Sequence, residues 1–284
     1  MDELVVGLDG SDESCLALRW AVAVAELSKA PVRAVEAWTY PRLSVLPGTT
    51  ALVAPAEMDD RTIGDLRDLV TKVLGYLPSF VSLEALRGPA AAAILQTLTP
   101  GSVLVLGTRG RGGFAGLLLG SVSRECIEYA PCPVVVVRHD RPPVDRDGVI
   151  LVGKDGSEGA AKALDWAITI GRLTGAGVAA VYAWQTGSSE VNPRLHQRLR
   201  AEAQSSVEGW IAERGATVGS IEVEGDARGK LVELAERMKA KLIVVGRRGT
   251  SPLRGLGAGG VTSDLVSNSP TTIAVIPPVA DSPG

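Results

Sequence analysis

Residues 6–22 read VGLDGSDESCLALRWAV, and residues 152–168 read VGKDGSEGAAKALDWAI. Nine of the seventeen aligned positions are identical, which in the first copy are Val6, Gly7, Asp9, Gly10, Ser11, Ala17, Leu18, Trp20 and Ala21. The offset of 146 residues also aligns 31–38 with 177–184, and an offset of 139 aligns 103–121 with 242–260. Two long copies indicate a duplicated globular domain rather than a solenoid. We therefore predict domains at residues 1–139 and 148–279, a linker at 140–147 and a tail at 280–284.

Within each copy, short apolar runs alternate with amphipathic stretches. In the first copy the apolar runs predict strands at 4–8, 32–37, 81–86, 103–106 and 133–137. Apolar residues at helical spacing predict the helices between them, and in the second copy one such helix includes residues 203–211. Strands that are apolar throughout and alternate with helices form parallel sheets covered on both faces. Each copy is therefore predicted to be a doubly wound α/β domain with a five-stranded parallel sheet and about four helices.

The composition excludes several classes of protein. Hydrophobic residues make up 45% and charged residues 21% of the chain, which is typical of a globular protein and not of a disordered one. A net charge of −3, without a basic block, argues against nucleic acid as a partner. The three cysteines contain no CxxC pair, which excludes a disulfide framework and a cysteine-rich zinc site. No apolar run approaches the roughly 18 residues of a membrane helix, so we expect a cytoplasmic protein with no membrane partner.

Two strand ends carry residues that suit a ligand. In open α/β sheets, ligands bind beyond the carboxyl ends of the strands. Asp9 follows the first strand, and a glycine-rich stretch at 107–121 joins the fourth strand to the helix that begins near Ser121. Glycine lets backbone amides approach a ligand closely, and a helix N-terminus favours phosphate. The spacing matches neither the P-loop nor the GxGxxG fingerprint of dinucleotide-binding domains.

The ordered combination of motifs resembles the universal stress proteins. Gly107-x2-Gly110-x9-Gly120-Ser121 resembles the ATP-binding signature of that family, as do Asp9 and the sequence APCPVVVV at 130–137. The resemblance covers both copies and implies a tandem, two-domain actinobacterial type of the ATP-binding class. It implies an adenine nucleotide alpha hydrolase-like fold, with ATP as ligand and Mg²⁺ carried on the phosphates rather than by protein ligands.

The resemblance also implies how the two copies associate and which residues form the ATP sites. The fifth strands, 133–137 and 272–276, would pair within one chain to give a pseudo-dimer, which protects two sheet edges. Whether two chains then form a homodimer stays open. Asp9 and Gly7 would frame the adenosine, the backbone of Ala37 would face the adenine, and the glycine loop would hold the ribose and phosphates. The first predicted ATP site contains Gly7, Asp9, Ala37, Gly107, Arg109, Gly110, Gly120, Ser121, Val122 and Ser123. The second contains Gly153, Asp155, Ala183, Gly246, Arg248, Gly249, Gly259, Gly260, Val261 and Thr262.

The second copy departs from the signature where Gly260 replaces Ser121. Loss of one neutral hydrogen bond costs about 1 kcal/mol, which is about fivefold in affinity. Thr262 could supply a hydroxyl instead, so we expect the second site to be weaker than the first but not absent. Lys154 replaces Leu8 at the exit of the first strand, and the sequence leaves the effect of that change open.

The resemblance implies a nucleotide-dependent regulator or sensor in stress response and growth control, acting with an unidentified partner protein. We assign no catalytic residue, because the motifs contain no positioned general base, no carboxylate pair for a metal and no lysine in the glycine loop. The protein is therefore not expected to be an enzyme beyond very slow ATP hydrolysis. Two alternatives are a slow ATPase or phosphotransferase, and a scaffold protein that binds no nucleotide.

Overall fold

A computed structural model describes residues 1–40, 54–110, 119–139, 148–184, 218–249 and 258–278. The chain divides into two compact units, Met1–Cys132 and Pro133–Gly284. The predicted helix at 203–211, the linker and the tail lie outside the described residues. None of the described helices is both long and apolar enough to cross a membrane.

Unit 1 follows the predicted alternation of strands and helices. Its described elements are β1 (Glu3–Gly7), α1 (Asp12–Ser28), β2 (Val32–Trp38), α2 (Pro55–Leu74), β3 (Val81–Arg87), α3 (Ala90–Thr97), β4 (Ser102–Gly107) and α4 (Ser121–Tyr129). The strands lie in the order β3-β2-β1-β4, and β1 pairs in parallel with both β2 and β4. Every residue of β4 is buried, as expected for a parallel strand covered on both faces.

Unit 2 contains the second copy and one further strand. Its described elements are β5 (Val134–Val137), β6 (Val149–Lys154), α5 (Glu158–Thr174), β7 (Gly177–Trp184), β8 (Val218–Glu224), α6 (Ala227–Arg237), β9 (Leu242–Gly246), α7 (Gly260–Asn268) and β10 (Thr272–Ile276). The strand order is β5-β10-β9-β6-β7-β8. The strands of the second copy pair in parallel, whereas β5 pairs antiparallel with β10. The predicted doubly wound α/β class is confirmed for both copies.

Strand β5 is the last strand of the first copy, yet it belongs to unit 2. Val134, Val135 and Val136 lie opposite Val275, Ala274 and Ile273. The predicted pairing of the two fifth strands is confirmed, while the pseudo-dimer stays a prediction. Among the described residues each copy contains the predicted five strands, β1–β5 in the first and β6–β10 in the second. The division by contacts groups β5 with unit 2, where it pairs with β10. The division between the units falls after Cys132, and the predicted domain boundaries stay a prediction.

The strand order also fixes where a ligand can enter each sheet. In unit 1 the chain proceeds from β1 through β2 to β3 on one side, and β4 lies on the other side of β1. In unit 2, β6 is flanked in the same way by β7 and β9. Such a reversal opens a crevice at the carboxyl ends of the two strands that flank it. The crevices therefore lie beyond β1 and β4 in unit 1, and beyond β6 and β9 in unit 2.

Cys126 and Cys132 are free cysteines with buried side chains. Burial is the main cause that raises the pKa of the Cys126 thiol to about 12, with smaller effects from Glu125 and Cys132. The thiol is therefore protonated at neutral pH, and a protonated thiol is a poor nucleophile. Cys126 acts as a small core residue.

Candidate functional site

A cavity of about 240 Å³ lies at the carboxyl ends of β1 and β4. All ten residues predicted for the first site line this cavity. The sequence prediction missed six further lining residues, which are Leu8, Ser14, Val35, Ala90, Ile94 and Leu106. Most of these are apolar residues on buried faces, where a ligand wall and ordinary core packing have the same sequence pattern.

The second cavity has a volume of about 300 Å³ and lies at the carboxyl ends of β6 and β9. It is lined by all ten residues predicted for the second site. The lining residues that the prediction did not include are Lys154, Ser157, Ala160, Val181, Ala227, Leu231 and Val245. The structure thus brings both predicted sets together, and the binding of a ligand to them stays a prediction.

Each site aspartate is held by the turn that follows its strand. The next residue is glycine in both copies, with φ of +75° and +81°, a conformation that glycine adopts without steric cost. The backbone N–H and Oγ of Ser11 donate to Asp9 Oδ1 at 3.0 and 2.6 Å. In the second copy the backbone N–H of Ser157 donates to Asp155 Oδ1 at 3.0 Å. The turn therefore orients each carboxylate at the edge of its cavity.

The same two serines begin the following helices. Ser11 Oγ accepts a hydrogen bond from the backbone N–H of Ser14 at 3.2 Å, and Ser157 Oγ accepts one from Ala160 at 3.1 Å. A serine N-cap satisfies one of the N–H groups that have no partner within the helix. One short turn thus fixes both the aspartate and the start of the helix that borders the cavity.

The glycine loop passes directly against each aspartate. A Cβ atom at Gly110 would overlap Asp9 Oδ2, and a Cβ atom at Gly249 would overlap Asp155 Oδ2. Any larger residue would have to displace the carboxylate, because under 3.0 Å a Cβ contact requires something to shift. The close approach of backbone and carboxylate therefore favours glycine at both positions.

A second pair of glycines lets each strand end contact the following helix. A Cβ atom at Gly107 would lie 2.6 Å from the backbone carbonyl carbon of Glu13 in α1. A Cβ atom at Gly246 would lie 2.8 Å from the corresponding carbon of Gly159 in α5. These contacts are with backbone, which cannot move aside as a flexible side chain can, so the glycines set the spacing between strand and helix.

The loop then returns to the strand end and starts a helix. The N–H of Gly120 donates to Thr108 O at 2.7 Å, and the N–H of Gly259 donates to Arg247 O at 2.9 Å. Both glycines are N-caps and provide no side-chain hydrogen bond to the helix. The first N–H groups of α4 and α7 have no acceptor within their helices. An anion at these helix starts would be stabilised by those N–H groups and by the helix dipole.

Two hydroxyls of the predicted sites contact backbone carbonyls. Ser123 Oγ donates to Gly107 O at 2.8 Å, and Thr262 Oγ1 donates to Gly246 O at 2.9 Å. Each hydroxyl has one proton, so these groups fasten the helix to the strand end. The proton of Thr262 is thus directed to Gly246 O, and the replacement of the Ser121 hydroxyl by that of Thr262 stays a prediction.

The charged side chains differ between the cavities. Arg109 lies 3.5 Å from Glu13, and both side chains are partly exposed, so the pair contributes little free energy and Arg109 can exchange Glu13 for another anion. Gly159 occupies the position of Glu13 in the second copy. Lys154 lines the second cavity, and burial lowers the pKa of its ammonium group.

A model of the universal stress protein family matches residues 1–138 and 148–277. The chain belongs to the universal stress protein family. The match covers both copies, so the predicted tandem arrangement of this universal stress protein is confirmed. A universal stress protein of Mycolicibacterium smegmatis is 28% identical over 285 residues, covering 97% of each chain. One from Mycobacterium tuberculosis is 28% identical over 290 residues, covering 96% of this chain and 95% of its own.

A solved structure supports the same fold. A universal stress protein from Archaeoglobus fulgidus matches this one with a TM-score of 0.70, covering 97% of this chain and 98% of the other. The two sequences are 19% identical, so the likeness concerns the fold alone.

Proposed function

We propose that this universal stress protein binds ATP in both cavities and acts as a nucleotide-dependent regulator of stress response and growth. The observation that carries the proposal is the repetition of one arrangement. In both copies an aspartate, a glycine loop that passes against it and an N-terminus of a helix line one cavity at the sheet edge. Their recurrence at two cavities favours a ligand over an accident of packing.

The lining of the first cavity fits an adenine nucleotide. Val35, Ala37, Ile94 and Leu106 give it an apolar wall, which suits a flat base, while the start of α4 presents N–H groups to phosphates. Asp9 would contact the ribose end, and Gly110, which lacks a Cβ, would let the loop approach the ligand. The matching residues of the second copy would bind a second nucleotide in the same orientation.

Mg²⁺ is proposed to bind through the phosphates. Among the described residues there is no group of three His, Cys, Asp or Glu side chains that could hold a metal ion. Mg²⁺ in nucleotide complexes usually keeps several waters and is bound through phosphates with few protein ligands. The bound ion would neutralise part of the phosphate charge, and the protein residues would bind and orient the nucleotide.

The proposed role is regulatory rather than catalytic. Asp9 Oδ1 accepts hydrogen bonds from Ser11, and we assign no residue to the activation of water. The proposed location is the cytoplasm, where ATP is abundant, and a partner protein would respond to the nucleotide-bound form. Homodimer formation stays a prediction.

Counting bound nucleotide tests the proposal. Purified full-length protein is incubated with ATP and Mg²⁺, separated from free ligand and denatured, and the released nucleotide is identified by mass and counted per chain. Release of about one ATP for each cavity is the expected result. Half that amount would restrict the proposal to one cavity. Release of none would contradict it and favour the scaffold alternative, whereas accumulation of ADP at a rate proportional to protein would favour the slow ATPase.

A further inference from the structure

The two cavities differ in the residue at the exit of their first strand. Leu8 follows β1 and lines the first cavity as an almost fully buried apolar side chain, with 4% of its surface exposed. Lys154 occupies the aligned position at the end of β6 and lines the second cavity. Its side chain is half-buried, and burial lowers the pKa of its ammonium group.

This replacement changes the formal charge of the cavity lining. Among the described lining residues of the first cavity, Asp9 and Arg109 carry opposite charges that cancel. In the second cavity Lys154 and Arg248 are positive and Asp155 is negative, which leaves one positive charge. A net charge in a concave site of low dielectric attracts ligands of the opposite sign more strongly than it would on an open surface.

The same cavity has lost a neutral hydrogen-bond donor. Gly260 stands where Ser121 begins α4 in the first copy, and the Thr262 hydroxyl donates to Gly246 O. The lining of the second cavity therefore has one more cation and one fewer hydroxyl than that of the first. A lysine has three donors on a flexible stem and can meet a phosphate from several positions.

Lys154 and the start of α7 border the same space. β6 and β9 are adjacent parallel strands, with Ile150, Leu151 and Val152 opposite Leu242, Ile243 and Val244. Their carboxyl ends consequently lie side by side, and α7 begins after the loop that follows β9. Lys154 and residues 259–262 are all part of the lining of the second cavity.

We propose that Lys154 contacts a phosphate group in the second cavity and makes this cavity more selective than the first for nucleotides over nucleosides. The inference rests on the proposed function, because it takes an adenine compound as the ligand. The two copies would then bind phosphate with different side chains. Phosphate binding uses the Ser121 hydroxyl in the first cavity and the Lys154 ammonium group in the second, with helix N–H groups common to both.

The test compares ATP with adenosine in a full-length chain carrying Gly110→Ala, which is expected to weaken binding at the first cavity through the Asp9 overlap. Affinities are measured by calorimetry for this chain with and without Lys154→Met, which keeps an unbranched apolar stem and removes the charged amine. Loss of a charged hydrogen bond is expected to weaken ATP about tenfold, while adenosine changes less than about twofold. Lys154→Arg should keep most of the preference for ATP, because it retains the charge.

The matched control is Lys162→Met. Lys162 lies on α5, where it pairs with Glu158 at 3.5 Å, and it does not line the cavity, so the ratio of ATP to adenosine affinity should stay the same. Equal weakening of ATP and adenosine by Lys154→Met would mean that the lysine only supports the wall, and would overturn the inference. No effect on either ligand would overturn it as well. Failure of ATP to bind the unsubstituted chain would instead contradict the proposed function itself. If Gly110→Ala reduces folding, a two-site titration of Lys154→Met alone gives the same comparison.

Discussion

The carboxyl edges of the two sheets are built alike, whereas their amino edges differ in chemistry. At the carboxyl edges, a loop glycine lies so close to Asp9 and to Asp155 that a Cβ atom on it would overlap the carboxylate. Each aspartate also accepts a hydrogen bond from the serine two residues later. At the amino edge of unit 1, Arg33 lies between Glu3 and Glu84. The positions aligned with Glu3 and Arg33 in the second copy are Val149 and Ala179.

The difference follows from how many kinds of side chain each edge of the sheet can accommodate. A partly buried position on a sheet face is satisfied either by apolar side chains or by a charged group with its partners. A strand end that touches a helix backbone accepts only glycine, and a backbone that passes against a carboxylate favours glycine because a Cβ atom would require the carboxylate to shift. Duplicated copies can therefore diverge at the amino edge while the cavity framework stays the same. Within the cavities, the aligned lining positions that differ in charge or in a hydroxyl are Leu8 and Lys154, Ser121 and Gly260, and Ser14 and Ala160.

The largest expected effect is a loss of ATP binding when a glycine of the loop beside the aspartate is replaced by alanine. Gly110→Ala should weaken ATP binding at the first cavity by about a hundredfold, since overpacking costs up to about 3 kcal/mol and here displaces Asp9. Gly249→Ala should do the same at the second cavity only. The count of released nucleotide for each variant separates the two sites.

The matched control for both changes is Gly64→Ala. Gly64 lies in α2, and a Cβ atom there would have no neighbour within 4 Å. This variant should keep both sites and gain a little helix stability. Unchanged binding in Gly110→Ala and Gly249→Ala together would show that the loops do not hold the ligand and would break the likeness between the cavities.

The next effect concerns the amino edge, where the units differ. Arg33 donates to Glu84 at 2.7 Å and to both carboxylate oxygens of Glu3 at 3.1 Å. Arg33→Met leaves two carboxylates without their cation, so unfolding free energy should fall by about 2 kcal/mol at neutral pH. Chemical denaturation followed by circular dichroism measures this change. The exposed Arg67→Met in α2 is the control, with an expected change below about 0.5 kcal/mol.

The same ion pair makes this loss dependent on pH. Burial raises the pKa of Glu3, but hydrogen bonds from Arg33 and Ser102 and the charge of Arg33 outweigh burial, so the pKa lies below its ordinary value of 4.5. The stabilisation by ionised Glu3 is therefore complete above pH 4.5 and is lost as the pH falls through the lower, folded-state value. The difference between wild type and Arg33→Met should shrink over that acidic range. A difference that stays constant there would assign the effect to the packing of the Arg33 stem.

The sequence predicted the glycine and aspartate positions because their spacing is local and repeated, as at Gly107, Gly110 and Gly120. It did not predict the apolar wall, since Val35 and Ile94 have the same pattern as core residues. The hydrogen bond from Thr262 to Gly246 O could not be predicted either, because a serine or threonine after a glycine cap is equally free to face a ligand. The pairing of β5 with β10 joins positions more than a hundred residues apart. Local periodicity does not encode it, and its prediction came from the family resemblance.

A smaller effect should follow from restoring the hydroxyl that the second cavity lacks. A Cβ atom at Gly260 would have no neighbour within 4 Å, so Gly260→Ser adds its hydroxyl at the start of α7 without strain. ATP affinity at the second cavity should rise about fivefold, the value of one neutral hydrogen bond. Gly260→Ala isolates the methyl group, and calorimetric titration of both variants gives the hydroxyl contribution by difference. Equal affinities for the two variants would show that the hydroxyl at this position does not reach the phosphates.

The smallest expected effect lies at the C-terminal ends of α1 and α5, where Lys29 and Gly175 line neither cavity. Lys29 and Gly175 occupy aligned C-cap positions with φ of 59° and 79°, and each N–H donates at 2.8 Å to the carbonyl four residues earlier. A residue with a Cβ is destabilised by about 1–2 kcal/mol in this left-handed conformation. Glycine avoids that strain but loses more conformational entropy on folding. Lys29→Gly should therefore raise the free energy of unfolding by less than about 1 kcal/mol. Gly175→Lys should remove a similar amount. Lys29→Ala keeps the Cβ and should change the denaturation midpoint little. Equal midpoints for Lys29→Gly and Lys29→Ala would show that left-handed strain does not destabilise the α1 C-cap relative to that of α5.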